Sequence, residues 1–163
     1  MPGARSPAAK AAAVPAISPV TPYLTCAGAA EAIEFYQRAF GAEVLMSPLT
    51  TPDGRILHAC LSINGGSLML SDEFKGMASS PGTLGGSPVT IHLVVDDADA
   101  WVARAEGAGA TVTMPVAEQF WGDRFGTITD PFGHSWSFST PVRQLSEREL
   151  REAAQAAMCA KPM

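Results

Sequence analysis

The side chains able to do chemistry are few and fall at regular spacings. The segment "QFWGDRFGTITDPFGHSWSF", residues 119–138, holds two tryptophans, an Asp-Arg pair and a histidine within one short stretch. Further upstream, "ILHACLSI" places His58, Cys60 and Ser62 at every second position, and "VTIHLVV" carries His92. Imidazoles can shuttle protons near neutral pH or bind metal, thiols can attack or ligate, an indole stacks on planar molecules, and a guanidinium orients carbonyls and anions.

Strand alternation decides which of these groups share a surface, because successive side chains point to opposite faces. In "HSWSFS", Ser135, Ser137 and Ser139 take one face while Trp136 and Phe138 take the other. In the first strand of each half, Thr21, Tyr23 and Thr25, and likewise Thr90 and His92, share a face. Candidate ligand-binding residues are therefore Tyr23, His58, His92, Trp121, Arg124 and Ser137. His58, His92 and Cys60 have two readings: a metal site built from soft-to-borderline donors, or hydrogen-bonded histidines and a small buried thiol in a pocket wall. A Cys60–His58 nucleophilic dyad lacks an orienting carboxylate. Trp121, flanked by Gly122, is expected over the mouth of a cavity. Arg124 either orients a ligand there or pairs with Asp123 to pin the hairpin. "DPFG" reads as a turn, with His134 on its rim.

These strands must be positioned by a repeated unit. "VTPYLTCAGAAEAIEFYQRAFGAEVLM" from Val20 and "VTIHLVVDDADAWVARAEGAGATVTM" from Val89 share one order of elements: strand, turn, amphipathic helix, Gly-Ala, strand. Ile33, Phe35, Tyr36 and Phe40 form the apolar face of the first helix, and Trp101, Val102 and Ala105 that of the second. Gly41 and Gly109 stop the two helices. Strands are predicted over 43–50, 55–63 and 67–71 in the first copy and over 111–114, 124–129 and 134–139 in the second. The fold class is α+β, with tandem β-α-β-β-β modules whose curved sheet surrounds a shared cavity. The predicted boundaries are a disordered tail at 1–18, a domain at 19–140 and a C-terminal helix and tail at 141–163. The domain divides into a first module at 19–72, a Gly/Ser/Pro-rich linker at 73–88 with room to act as a flap, and a second module at 89–140. Ser146 and Glu149 have capping-box spacing, so a terminal helix is expected over 147–158, laid on a sheet edge or a dimer partner, or else frayed.

Composition narrows the function classes. A chain of 163 residues with 47% hydrophobic residues suits one core. The formal charge is −5 and the eleven Lys and Arg are scattered, so the basic stripe that neutralises nucleic-acid phosphates is missing. Cys26, Cys60 and Cys159 are odd in number and show no C-x-x-C spacing, which fits a reducing, cytoplasmic setting. Prolines interrupt the basic N-terminal stretch, and no apolar run approaches the roughly 20 residues that cross a bilayer.

"AIEFYQRAFGAEV", "GGSLMLSD" and "DPFGHSWSF", set in tandem modules, resemble the vicinal oxygen chelate superfamily of glyoxalases, bleomycin-resistance proteins, fosfomycin-resistance enzymes and extradiol dioxygenases. Within it, "PYLTCAGAAEAIEFYQRAFGAEV" and "QFWGDRFGTITDPFGHSWS" are similar to the PhnB-like branch. The resemblance implies a divalent cation held by one ligand from the first strand and one from the last strand of each module. Those positions fall here on Thr21, Thr90, Met69 (or Leu70) and Ser137, which lack the carboxylate and imidazole donors such an ion needs. The expectation is a homodimer that binds a small planar or aromatic organic molecule and needs no cofactor or metal. The alternative is a lyase, isomerase or dioxygenase of the glyoxalase type with a displaced site at His58 and His92.

Overall fold

The computed structural model describes residues 16–160, so most of the tail expected over 1–18 lies outside the described residues. The first module runs β1 (Tyr23–Cys26), α1 (Ala29–Phe40), β2 (Glu43–Val44), β3 (Leu49–Thr50), β4 (Ile56–Ile63) and β5 (Gly66–Asp72). A short helix α2 (Pro81–Leu84) follows in the linker. The second module runs β6 (Thr90–Val94), α3 (Ala98–Ala108), β7 (Thr111–Glu118), β8 (Asp123–Thr129) and β9 (Ser135–Pro141), before a terminal α4 (Glu147–Ala160). The α+β class and the tandem order follow the sequence expectation. The strand predicted over 43–50 is instead two short strands, because Pro48 cannot donate to a ladder and the chain leaves β4 around it.

Each module builds a mixed sheet with its first strand at one edge. The orders are β1-β5-β4-β2, with β3 also on β4, and β6-β9-β8-β7. β1 pairs parallel with β5, and β6 parallel with β9. Parallel neighbours need a crossover, which α1 and α3 start. Gly41 ends α1 at φ 63, donating to the Gln37 carbonyl at 3.1 Å. Asp97 caps α3 by accepting from the Ala100 amide at 3.0 Å.

The two helices pack against each other, α1 on the first sheet and α3 on the second. The apolar face of the first sheet, with Leu24, Ala59, Leu61 and Leu70, covers α1. On its far side α1 packs along α3 and sends Tyr36 onto Trp136 and Phe40 onto Trp136 and Phe138, at ring separations of 5.4, 4.8 and 5.6 Å. Arg104 of α3 adds a 2.7 Å hydrogen bond to the Ala39 carbonyl. One apolar core therefore serves both modules, and alternation puts the polar face of each sheet on the side opposite that core. A single chain thus carries two half-clefts, one on the outer face of each sheet.

The linker is held down. The Glu73 carboxylate accepts from the Ser80 amide at 2.8 Å and from the Thr83 hydroxyl at 2.8 and 3.0 Å, bonds that keep its carboxyl below the usual range. Pro81 is buried against Gly133, where an added Cβ would come within 2.8 Å of the proline. The room for a flap inferred from composition is taken up by this packing. Helix α4 begins with the expected capping box, in which Ser146 and Glu149 exchange bonds, and buries none of its residues among those described.

Candidate functional site

The outer face of the second sheet gathers most of the groups singled out from sequence. Both ring nitrogens of His92 are occupied: Nδ1 meets Ser137 Oγ at 2.8 Å and Nε2 meets Ser139 Oγ at 3.0 Å. A neutral imidazole has one donor and one acceptor nitrogen, so one serine donates and the other accepts. Ser137 and Ser139 are buried while His92 is exposed, so the ring is clamped from beneath. Phe125 stacks beside it at 6.1 Å and 24°. Trp121 meets Phe125 edge-on at 5.4 Å and Phe120 at 5.0 Å. Phe125 was missed by sequence reasoning, although the alternation that faces Ser139 outward across the β8–β9 ladder also places Phe125 there.

The turn that presents Trp121 is tightly built. Gly122 has φ 100, and a Cβ there would run into the Arg143 carbonyl. Its own carbonyl accepts from the Val142 and Arg143 amides at 3.0 and 2.9 Å.

Tyr23 and His58 form the other half-site, on the outer face of the first sheet. The Tyr23 hydroxyl and His58 Nδ1 are 2.9 Å apart, with ring centroids at 5.6 Å. When the phenol donates, the imidazole proton sits on Nε2, available to a ligand. Cys60 is buried, and that burial raises its thiol pKa, so it is neither a ready nucleophile nor a thiolate ligand. His58 and His92 lie on the outer faces of different sheets.

Arg124 is not on either outer face. It lies on the helix side of β8 and makes a bidentate pair with Asp99 of α3, at 2.7 and 2.8 Å. Those bonds hold the Asp99 carboxyl below its usual range. The expected Asp123–Arg124 contact gives way to this pair because strand neighbours point to opposite faces. His134 is buried rather than on a rim, with Nε2 3.0 Å from the Thr25 carbonyl, linking the DPFG turn to β1.

The donors available do not suit a divalent cation. Thr21 Oγ1 is spent on the Ser18 carbonyl at 2.7 Å, the two nitrogens of His92 are taken by Ser137 and Ser139, and Met69 offers a thioether. Among the described residues no three of His, Cys, Asp and Glu come together as a ligand set. Two small clefts open on the seam between β1 and β6. One, of about 190 Å³, is lined by Val20, Pro22, Ile91, His92 and Trp136; the other, of about 300 Å³, by Tyr23, Val89, Ile91 and His134.

Tandem modules, edge strands β1 and β6, and polar outer sheet faces define a glyoxalase-like protein. Residues 17–138 match the family model of the Glyoxalase/Bleomycin resistance protein/Dioxygenase superfamily, and the chain belongs to that superfamily. It is 47% identical over 138 residues to an uncharacterised protein of Mycobacterium tuberculosis H37Rv, covering 82% of this chain and 81% of the relative. Protein PA1353 from Pseudomonas aeruginosa has a similar crystal structure, with 28% identity and a TM-score of 0.60 over 76% of this chain and 98% of that one. A PhnB protein from Bacillus cereus shares the fold at 19% identity and a TM-score of 0.58, over 76% of this chain and 99% of its own. No helix among the described residues is long and apolar enough to cross a membrane.

Proposed function

We propose that the protein is a PhnB-like, metal-independent binder of a small planar or aromatic organic molecule, working as a cytoplasmic homodimer. The observation that carries this reading is the platform of Trp121, Phe125 and His92, with the imidazole fixed at both nitrogens by Ser137 and Ser139. A ring held flat beside other rings stacks on planar ligands at little entropic cost. His58, steadied by Tyr23, supplies a polar contact from the other half-site.

The same geometry supports a dimer. A ligand enclosed on both sides would sit between the Tyr23–His58 face of one copy and the Trp121–His92 face of another. Tyr23 on β1 and Val89 and Val94 on or beside β6 are exposed along the seam between these strands, where such a contact would cover them. The three free cysteines agree with a reducing compartment.

The test is native mass spectrometry with tryptophan-fluorescence titration of planar aromatic probes, before and after chelator treatment. The expected result is a dimer holding two ligands, with affinity unchanged by chelator. A stoichiometric metal, lost together with binding in a His58→Ala, His92→Ala double variant, would replace this reading with a metal-dependent lyase, isomerase or dioxygenase.

A further inference from the structure

We infer that Asp123 makes the Trp121 half-site selective for planar organic cations, an inference that rests on the ligand-binding reading above. Asp123 opens β8 and, two residues before Phe125, shares its outward face. Two arginines lie near it in the fold, and both are committed elsewhere: Arg124 to Asp99 at 2.7 Å and Arg143 to Glu118 at 2.8 Å. Among the described residues the Asp123 carboxylate has no hydrogen-bond or ion-pair partner, although it is half-buried. An uncompensated carboxylate in a partly dehydrated corner favours an approaching cation.

The surroundings add to that preference. Phe120, Trp121 and Phe125 meet in T-shaped contacts, and the faces of such rings carry negative quadrupole potential that attracts a cation. The corner is preorganised: the Gln119 amide donates to the Asp123 carbonyl at 2.8 Å, and the Gly122 amide to the Gln119 carbonyl at 3.0 Å. The opposing half-site contributes a phenol and an imidazole, Tyr23 and His58, and no guanidinium or ammonium reaches either face from its own strands. A flat molecule with delocalised positive charge, such as an N-alkylated heteroaromatic, satisfies both the carboxylate and the rings. A flat anion meets an unpaired carboxylate.

The experiment uses three probes of similar shape: 1-methylquinolinium, 1-methylnaphthalene and 1-naphthoate. Each is titrated against the full-length protein at low salt by tryptophan quenching, with two-dimensional NMR to locate the shifts. The expected result is that the cation binds about tenfold or more tightly than its neutral counterpart and that the anion binds weakest. Asp123→Asn should abolish the cation preference while leaving the neutral probe's affinity in place. Glu106→Gln, at an exposed position of α3, removes the same unit of charge elsewhere and should change nothing, which separates a local contact from the pull of the protein's net charge. Equal affinities for cation and neutral probe, a tighter anion, or a preference that survives Asp123→Asn would overturn this inference and leave the ligand-binding reading standing. Failure of all three probes to bind would overturn both.

Discussion

The Tyr36 phenol of the first module donates a 2.7 Å hydrogen bond to Oδ2 of Asp130 in the second. The same oxygen accepts from the Trp136 indole at 2.9 Å, and Oδ1 accepts from the Phe132 and His134 amides, each at 2.9 Å. One buried carboxylate thus ties α1 to the DPFG turn and to β9, with every lone pair directed at a donor. Burying a carboxylate is tolerable only when it is so satisfied.

Removing one donor should be felt at once. Tyr36→Phe keeps the ring packing but leaves Oδ2 with only the indole, and a lost hydrogen bond to a buried charged group costs about 1.5–3 kcal/mol. Urea denaturation should show a lower midpoint with an unchanged slope. An unchanged midpoint would mean that water replaces the phenol without cost.

The same region sets an alkaline limit on stability. Burial, and after it the charges of Asp130 and Asp72, push the Cys26 thiol from 9.0 to about 12. Between those values the unfolded chain releases a proton that the folded chain keeps, so the unfolding free energy falls as pH rises. The contribution is whole below pH 9.0 and is lost toward pH 12. Burial raises the Tyr36 phenol above its ordinary 10.0 as well, which steepens the same decline. Cys26→Ala should flatten the profile above pH 9.0 by about 1.4 kcal/mol per pH unit, read from urea melts at several alkaline pH values. A slope identical to wild type would show that the thiol titrates normally in the folded protein.

Gly122 offers a test of the turn that carries Trp121. At φ 100, with the Arg143 carbonyl where a Cβ would go, Gly122→Ala combines backbone strain with a clash against main chain. A cost of about 1–3 kcal/mol is expected, together with a shift in Trp121 emission as the turn re-forms. Retained stability and emission would show that the chain at 142–143, just past β9, yields freely.

The module order was legible because it depends on local signals: helix periodicity in "AIEFYQRAF", glycine stops at 41 and 109, and strict alternation in "HSWSFS". Alternation also anticipated that Ser137 and His92 share a face. It could not anticipate their mutual bond, which depends on the parallel β6–β9 register of His92 with Ser137. Nor could spacing show which faces meet across modules. That is decided by α1, whose buried residues meet both the first sheet and the second module, while Glu31, Glu34, Gln37 and Arg38 keep one side in solvent. Arg124 was misplaced for a related reason: Asp123 is its neighbour in sequence, whereas Asp99 is its neighbour across the helix–strand layer.

Arg124 and Trp121 give opposite expectations and so test the assignment of faces. Trp121→Ala should weaken binding of a planar probe by about 1–3 kcal/mol if the indole stacks on it. Because Trp121 packs against only Phe120 and Phe125 among the described aromatic rings, its melting temperature should move little. Arg124→Ala should leave probe affinity unchanged, since its guanidinium lies on the helix side of β8. Its stability should also fall only slightly, because both partners of the Asp99 pair are more than a third exposed and water replaces much of the contact. Calorimetric titration alongside thermal melts of the two variants reads both quantities. Loss of affinity in Arg124→Ala with Trp121→Ala unaffected would reverse the assignment and move the ligand to the α3 side of the second sheet.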